Sequence, residues 1–486
     1  MVFSSMVFLW IFLPVVFVLG MLIRKPKYQN IVLLIASLLF YAWGEPRYIF
    51  LLLFSVLMNW VLGLLMDRYR DRKKLFLILA LVGNLSLLGY FKYCNFFLNT
   101  LDHLLPFVNV PRTSIALPIG ISFFTFQAMS YIIDLYRGEY KVQKNLFDLM
   151  LYISFFPQLI AGPIVKYRDI DEQIGNRTIT RQKVAEGFRR FVYGLGKKVI
   201  LSNLLAVSVD KIFALDLSVM GTGTAWIGAV FYTLQIYYDF SVYSDMAIGL
   251  GRMFGFDFLE NFNYPYLSSS IHEFWRRWHI SLSTWFKEYL YIPLGGNRKG
   301  TRRTYINLII VFAVTGLWHG ASWNFVFWGL YHGFFQIIER LGFGRVLKKD
   351  RTKILSRLYT ILVVTIGWVF FNAPSFTYGL GMVGRMLLPF LYAGQGTNPA
   401  LLVSTKTLLA FAAALLGCGM IQSIFTGRDI GTAAAADGQA RERVLSKLGA
   451  KWKNSAAEAV FLAVVLMYCI LLLSNNTYNP FIYFRF

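Results

Sequence analysis

The sequence predicts an all-α polytopic membrane protein, and three observations carry that prediction. Hydrophobic residues make up 57% of the chain and charged residues only 15%, a balance suited to lipid rather than water. The apolar residues gather in long runs, many of them near the length that crosses a bilayer. Clusters of lysine and arginine separate those runs, as cytoplasmic loops do under the positive-inside rule. These loops also account for the 48 basic against 25 acidic residues and the net charge of +23, so the charge calls for no nucleic-acid partner. The economical organisation is a single integral-membrane domain over 1–486, with the lipid bilayer as its first partner. Cys94, Cys418 and Cys469 are odd in number, far apart and without metal-ligand spacing, so neither a disulfide nor a metal site is expected from them.

The run 3–23 begins without a basic region and lacks a small-residue cleavage pattern, so it is expected to stay as a span. Arg24, Lys25 and Lys27 follow it and belong in the cytoplasm, which puts the N-terminus outside. Spans 30–43, 48–66 and 75–91 come next, with 44–47 outside, Arg68 to Lys74 inside and 92–114 outside. An apolar pair, 115–134/147–163, leads to the cytoplasmic stretch Lys166 to Arg181. Spans 187–209 and 223–240 flank an outer segment at 210–222, and Arg276 to Arg303 lies inside. After a second pair, 304–318/323–338, Arg340 to Lys353 is cytoplasmic and 355–372 crosses outward. Counting 376–392 as a span would put Arg428 to Lys453 outside, so it is expected to lie along the outer face as an interfacial helix. Spans 401–424 and 455–474 leave the tail 475–486 outside. Both termini are thus extracytoplasmic, and the chain is placed in the cytoplasmic membrane. Several runs fall short of about 20 residues, which predicts tilt or partial penetration.

The two apolar pairs do not fit simple alternation. The first must cross an odd number of times, so one of its members is expected to enter and return on the same side. The second has basic residues on both flanks but only 31 residues in its two runs, where two spans need about 40 and a turn. Broken or re-entrant helices follow, with His319, between Gly316 and Gly320, near the apex. The sixteen steps from Arg303 to His319 rise about 24 Å in a helix, against a hydrocarbon core of about 30 Å. Irregular backbone at that depth needs protein or a water-filled cavity around it. An ionisable side chain there marks a functional site by default.

Residues 271–290, IHEFWRRWHISLSTWFKEYL, read as one amphipathic helix. At 100° per residue, His272, Arg276, His279 and Ser283 share a face, and Trp275, Trp278, Leu282 and Trp285 form a stripe beside it. Glu273 and Arg277 are spaced to pair. Pro293 with Gly295 and Gly296 ends the element. An interfacial helix with headgroup-level tryptophans explains the stripe; the two histidines point to chemistry. HEFWRRWH is not a zinc-protease motif, because its histidines stand seven apart rather than four, and YGLGKK at 193–198 lacks the first glycine and the Ser/Thr of a phosphate-binding loop.

For His319 the structural reading is a neutral histidine bonded to a carbonyl, and the functional one is a general base. Such a base takes the proton of a hydroxyl as it attacks an acyl thioester. No nucleophile elbow and no cysteine accompany either histidine, so direct transfer is the simpler route. His332, thirteen residues on, is assigned a structural or donor-side role, and His103 is incidental. Asp134 is expected to pair with Arg137. Asp239 and Asp245 either line a polar cavity or hold structural hydrogen bonds.

Taken together these stretches resemble the membrane-bound O-acyltransferases, in the bacterial branch that decorates extracellular polymers. The resemblance rests on LPIGISFFTFQAMSYIIDLYRG from Leu117, SFFPQLIAGPI from Ser154, YYDFSVYSDMAIGLGRMFGF from Tyr237, EFWRRWHISLSTWFKEYLYIPLGGNRKG from Glu273 and GLWHGASWNFVFWGLYHG from Gly316, in that order. The closing NPFIYFRF from Asn479 is similar to the alginate-acetylation subgroup. The resemblance implies a ring of transmembrane helices around a thin centre where a cytoplasmic and an extracytoplasmic funnel meet, with a catalytic core at about 115–340. It puts the catalytic histidine at His319 and the second polar position at His279, with Trp318, Trp278, Arg276, Ser283, His332 and Asp239 as candidates for substrate or donor contacts. It implies no tightly bound cofactor and no metal. The implied donor is acetyl-CoA or an acylated carrier protein on the cytoplasmic side. The implied acceptor is an exopolysaccharide, or an extracytoplasmic acyltransferase that relays the group. A transporter or flippase for a lipid-linked or polymeric substrate is the alternative that many helices and an internal cavity also suit; the lack of internal repeats and of a buried carboxylate relay argues against it.

Overall fold

The computed structural model describes residues 1–420 apart from 24, 106, 109, 112, 348 and 393–395, together with 456–474 and 481. Arg428 to Lys453, the end of the 401–424 span and the motif from Asn479, Phe481 apart, lie outside the described residues. Those residues form helices and connecting turns, with no β-strand among them. Among the described residues, five stretches are long and apolar enough to cross a membrane: Ile49–Arg68, Arg70–Leu104, Arg181–Phe213, Lys353–Asn372 and Ala456–Ser474. Phe8–Leu22 and Thr405–Gly419 are shorter apolar helices. The chain divides into two compact units, Met1–Phe191 with Ser244–Leu259, and Val192–Tyr243 with Glu260–Phe486.

In the first unit local signals set the helix ends. Pro26 opens Pro26–Gly44, where its missing N–H costs nothing. Gly138, at φ 78°, closes Ile121–Arg137, a conformation that a side chain would strain. Asn59 and Asn84 exchange amide hydrogen bonds of 2.8 and 3.1 Å, joining Ile49–Arg68 to Lys73–Leu88 in the way polar groups tie helices in apolar surroundings. Arg177 is buried and donates to the carbonyl of Phe254 (3.0 Å) and to Asn30 Oδ1 (2.5 Å). Asp134 pairs with Arg137 at 3.5 Å, and Arg168 approaches the same carboxylate at 3.9 Å.

Two helices run past their expected ends because charged residues inside them are satisfied. The expected span 75–91 continues through a π-turn, Gly89–Tyr93, into Cys94–Leu104. Lys92, which ends the apolar run in the sequence, is buried and donates to Ser122 Oγ at 3.0 Å. The expected span 223–240 is part of a helix of 32 residues, Thr222–Met253. Asp245 on it accepts from Arg190 at 2.8 and 3.1 Å, and Asp239 pairs with Lys198 and accepts from Ser202 Oγ at 3.0 Å. The expected run 147–163 is helical only over Leu146–Ser154, after which 155–165 is irregular yet buried. Pro157 and Pro163 stop the helix.

The second unit is built around fully buried tryptophans. Trp278 packs on Trp368 with ring centroids 4.8 Å apart, and Trp368 on Trp328 at 5.5 Å. The pair expected at 304–318/323–338 is a hairpin of Thr301–His319 and Trp323–Ile338 turning at Gly320. Its two helices touch backbone to backbone: a Cβ at Gly316 would stand 2.1 Å from the carbonyl oxygen of Phe325, and one at Gly329 equally close to that of Phe312. Only glycine permits this approach.

Candidate functional site

The segment expected as one helix over 271–290 is two. Ile271–Arg277 ends at Trp278 in extended backbone, His279 is left-handed at φ 45° and ψ 56°, and Ile280–Phe286 starts afresh. Breaking a helix strands backbone groups that must find other partners. Residues 261–263 supply them: the carbonyl of Arg277 accepts from Asn263 N at 2.9 Å, and Ile280 N donates to the carbonyl of Asn261 at 2.9 Å. The left-handed backbone of His279 costs about 1–3 kcal/mol and persists only where its surroundings impose it. Here they do, and the break turns His279 inward while His272 and Arg276 stay exposed. The four residues therefore do not share one face.

A second clamp holds the front of this element. Glu339 accepts from Ile271 N at 2.6 Å and His272 N at 3.0 Å, the place at a helix N-terminus where a carboxylate is favoured. Burial pushes the Glu339 carboxyl above the ordinary carboxylate range, against the lowering effect of those N–H groups. Glu273 and Arg277 pair as expected, at 2.5 and 2.9 Å.

His319 is the last residue of its helix, and the turn at Gly320 leaves its ring in an aromatic enclosure. Trp318, Trp328 and Phe371 lie at centroid distances of 5.0, 5.1 and 5.4 Å. His279, forty residues earlier, faces it at 6.4 Å with the ring planes at 66°, and Trp318 stands against His279 at 5.9 Å. Phe240 and Phe262 cover the rest of His279. Both histidines are buried, at 1% and 3% exposure.

Residues of the broken segment and of both hairpin helices, though neither His279 nor His319, line a cavity of about 500 Å³, within the usual range for ligand sites. Arg276, Lys287 and Arg340 give it a cationic lining, Ser283 and Thr284 supply hydroxyls, and Trp275, Phe312 and Thr315 form its apolar side. Thr315 is one helical turn before His319, on the same face. Trp275 touches Trp328 at 5.6 Å, so the cavity wall continues to the enclosure around His319.

Of the residues singled out in the sequence, His279, His319 and Trp318 come together, and Arg276 and Ser283 line the cavity. Trp278 lies in the aromatic core, against Phe274 and Trp368. His332 is fully buried between Trp275 and Trp328 at 5.3 and 5.1 Å and does not line the cavity. Asp239 is held in the buried pair with Lys198, one residue before Phe240, which covers His279. The sequence reading passed over Asn261, whose Oδ1 accepts from Ser281 N at 3.1 Å and Ser281 Oγ at 2.9 Å and lies 3.3 Å from His279 Nδ1. No periodic pattern marks it; its only signal is an amide in the irregular stretch just before the aromatic helix. Glu339 was also passed over.

Residues 70–383 match the family model of the membrane-bound O-acyltransferases. A probable alginate O-acetylase of Pseudomonas putida is 41% identical, with all of both chains covered. A peptidoglycan O-acetyltransferase of Helicobacter pylori is 38% identical over 79% of this chain and 80% of its own. A teichoic acid D-alanyltransferase of Bacillus subtilis is 30% identical over 52% of this chain and 66% of its own.

Proposed function

The chain belongs to the membrane-bound O-acyltransferase family and is a membrane-bound acyltransferase, and from that premise we propose that it moves an acetyl group from a cytoplasmic thioester to hydroxyls of an extracytoplasmic polysaccharide. The full-length likeness to a probable alginate O-acetylase supports both the acetyl group and the polysaccharide acceptor, reached directly or through a relay acyltransferase. The observation that carries the reading is the pair of buried imidazoles facing each other at 6.4 Å, joined through Trp328 and Trp275 to the wall of a cation-lined cavity.

In this reading the donor, acetyl-CoA or an acylated carrier protein, enters the cavity with its phosphate near Arg276, Lys287 and Arg340, since guanidinium and ammonium groups hold phosphate strongly. The thioester reaches the histidines past Thr315. His319 takes the hydroxyl proton as the hydroxyl oxygen attacks the thioester carbonyl, the C–S bond breaks, and the leaving thiolate receives that proton. His279 or nearby backbone N–H groups meet the charge that develops on the carbonyl oxygen. In this reading the donor side is cytoplasmic and both termini are extracytoplasmic, an orientation supported by the basic loops.

The test is mass spectrometry of surface polysaccharide from cells carrying the wild type, a deletion, or His319→Gln and His319→Asn variants at matched membrane abundance. Loss of ester-linked acetyl in the deletion and in both variants, with polymer still exported, is the expected result. Wild-type acetylation in the variants would sink the general-base role, and unchanged acetylation in the deletion would sink the polysaccharide acceptor.

A further inference from the structure

The tautomer of His279 can be read from the hydrogen bonds around it. A backbone N–H can only donate, so the Asn261 atom that Ser281 N approaches at 3.1 Å is the amide oxygen. That same oxygen lies 3.3 Å from His279 Nδ1. An amide oxygen can only accept, so the contact is favourable when Nδ1 carries the proton. In a neutral imidazole the other nitrogen is then a bare acceptor. The arrangement is over-determined: Asn261 is 1% exposed and His279 equally so, the Asn261 carbonyl accepts from Ile280 N at 2.9 Å, and the left-handed backbone at His279 fixes the ring against Phe240, Phe262 and Trp318.

We propose that Asn261 is a positioning residue of the acyl-transfer site, whose amide oxygen holds the proton of neutral His279 on Nδ1 and makes Nε2 a proton-accepting nitrogen. The consequence for chemistry, which rests on the acyltransfer reading above, is that neutral His279 cannot donate to the developing oxyanion from Nε2. That work passes to backbone N–H groups, and His279 joins His319 on the proton-accepting side of the site.

The direct test is magic-angle-spinning NMR of the full-length protein in lipid, labelled with ¹³C,¹⁵N-histidine. The chain has only 5 histidines, and subtraction of a His279→Gln spectrum assigns the resonances of His279. In the wild type at a pH where the ring is neutral, the proton is expected on Nδ1. Asn261→Ala is expected to move it to Nε2 or to a mixture, and to lower kcat on the order of 100-fold with donor KM little changed, the scale of one general acid–base contribution. Asn261→Asp keeps an acceptor oxygen and is expected to keep the Nδ1 proton and to restore kcat to within about tenfold. A wild-type Nε2–H tautomer, an Nδ1 proton that survives Asn261→Ala, or one that is lost in Asn261→Asp would each overturn the proposal; the wild-type and aspartate spectra decide the matter if Asn261→Ala does not fold. An Nδ1–H tautomer together with full transfer by His279→Gln and His319→Gln would leave the hydrogen bond intact but take both histidines out of the chemistry and overturn the positioning role, whereas an Nδ1–H tautomer in a wild type that transfers no acyl group from a thioester donor would remove the acyltransfer reading instead.

Discussion

Gly316→Ala tests whether the close hairpin of Thr301–His319 and Trp323–Ile338 is what holds His319 in place. The added Cβ would stand 2.1 Å from the Phe325 carbonyl oxygen, where a carbon and a carbonyl oxygen pack no closer than about 3.3 Å. The shortfall is about 1.2 Å, and because the obstacle is backbone rather than the tip of a side chain, the helices have to part. Overpacking of this kind costs about 1–3 kcal/mol. His319 lies three residues beyond Gly316, so the displacement reaches the imidazole, and a misplacement of about 1 Å at a reacting centre costs about 100-fold in rate. Thermal unfolding in detergent and the kcat of transfer from a thioester donor measure the two effects. Gly384→Ala is the control: nothing lies within 4 Å of its Cβ position, and in the helix Phe376–Leu387 alanine is worth up to about 1 kcal/mol over glycine. A Gly316→Ala protein with wild-type stability and kcat would refute the reasoning.

Two further outcomes follow from charges in the second unit. Arg276→Gln and Lys287→Gln are each expected to raise the KM for a phosphate-bearing donor about tenfold with a smaller change in kcat, the loss of one charge-assisted contact; a donor KM unmoved in both variants would remove the phosphate from this end of the cavity. Asp239→Ala leaves the Lys198 ammonium buried without its carboxylate and is expected to destabilise by about 3–5 kcal/mol, whereas Lys198→Met with Asp239→Leu costs less because no charge is left behind. Thermal melts of the two proteins compare them directly, and a double variant as unstable as the single one would mean that the pair is not the source of the loss.

Much of the fold is legible in the chain because it is written in near-neighbour terms. Apolar length and glycine marked the turn beside His319, between Gly316 and Gly320, whereas the starts and stops at Pro26 and Gly138 lie four residues outside the expected runs 30–43 and 115–134. The misses share a cause: a charge inside an apolar run reads as an end, yet Lys92 finds Ser122 and Asp245 finds Arg190, partners that lie far away in sequence. The same limit hid Asn261, whose role exists only once 261–263 lies alongside the break at His279.

By itself the sequence determined the helical membrane class, the hairpin apex at His319, the pairing of Glu273 with Arg277 and, through its long motifs, the acyltransferase family. These depend on hydropathy and on spacings of three or four residues, which one helix turn enforces. Only the tertiary structure decided that 271–290 is broken and that His279, forty residues before His319, faces it at 6.4 Å. Both halves of that segment are helical, so periodicity carries straight through the break. What stops the helix is a set of backbone and amide partners from another segment, which compensate the left-handed turn and aim one imidazole at the other.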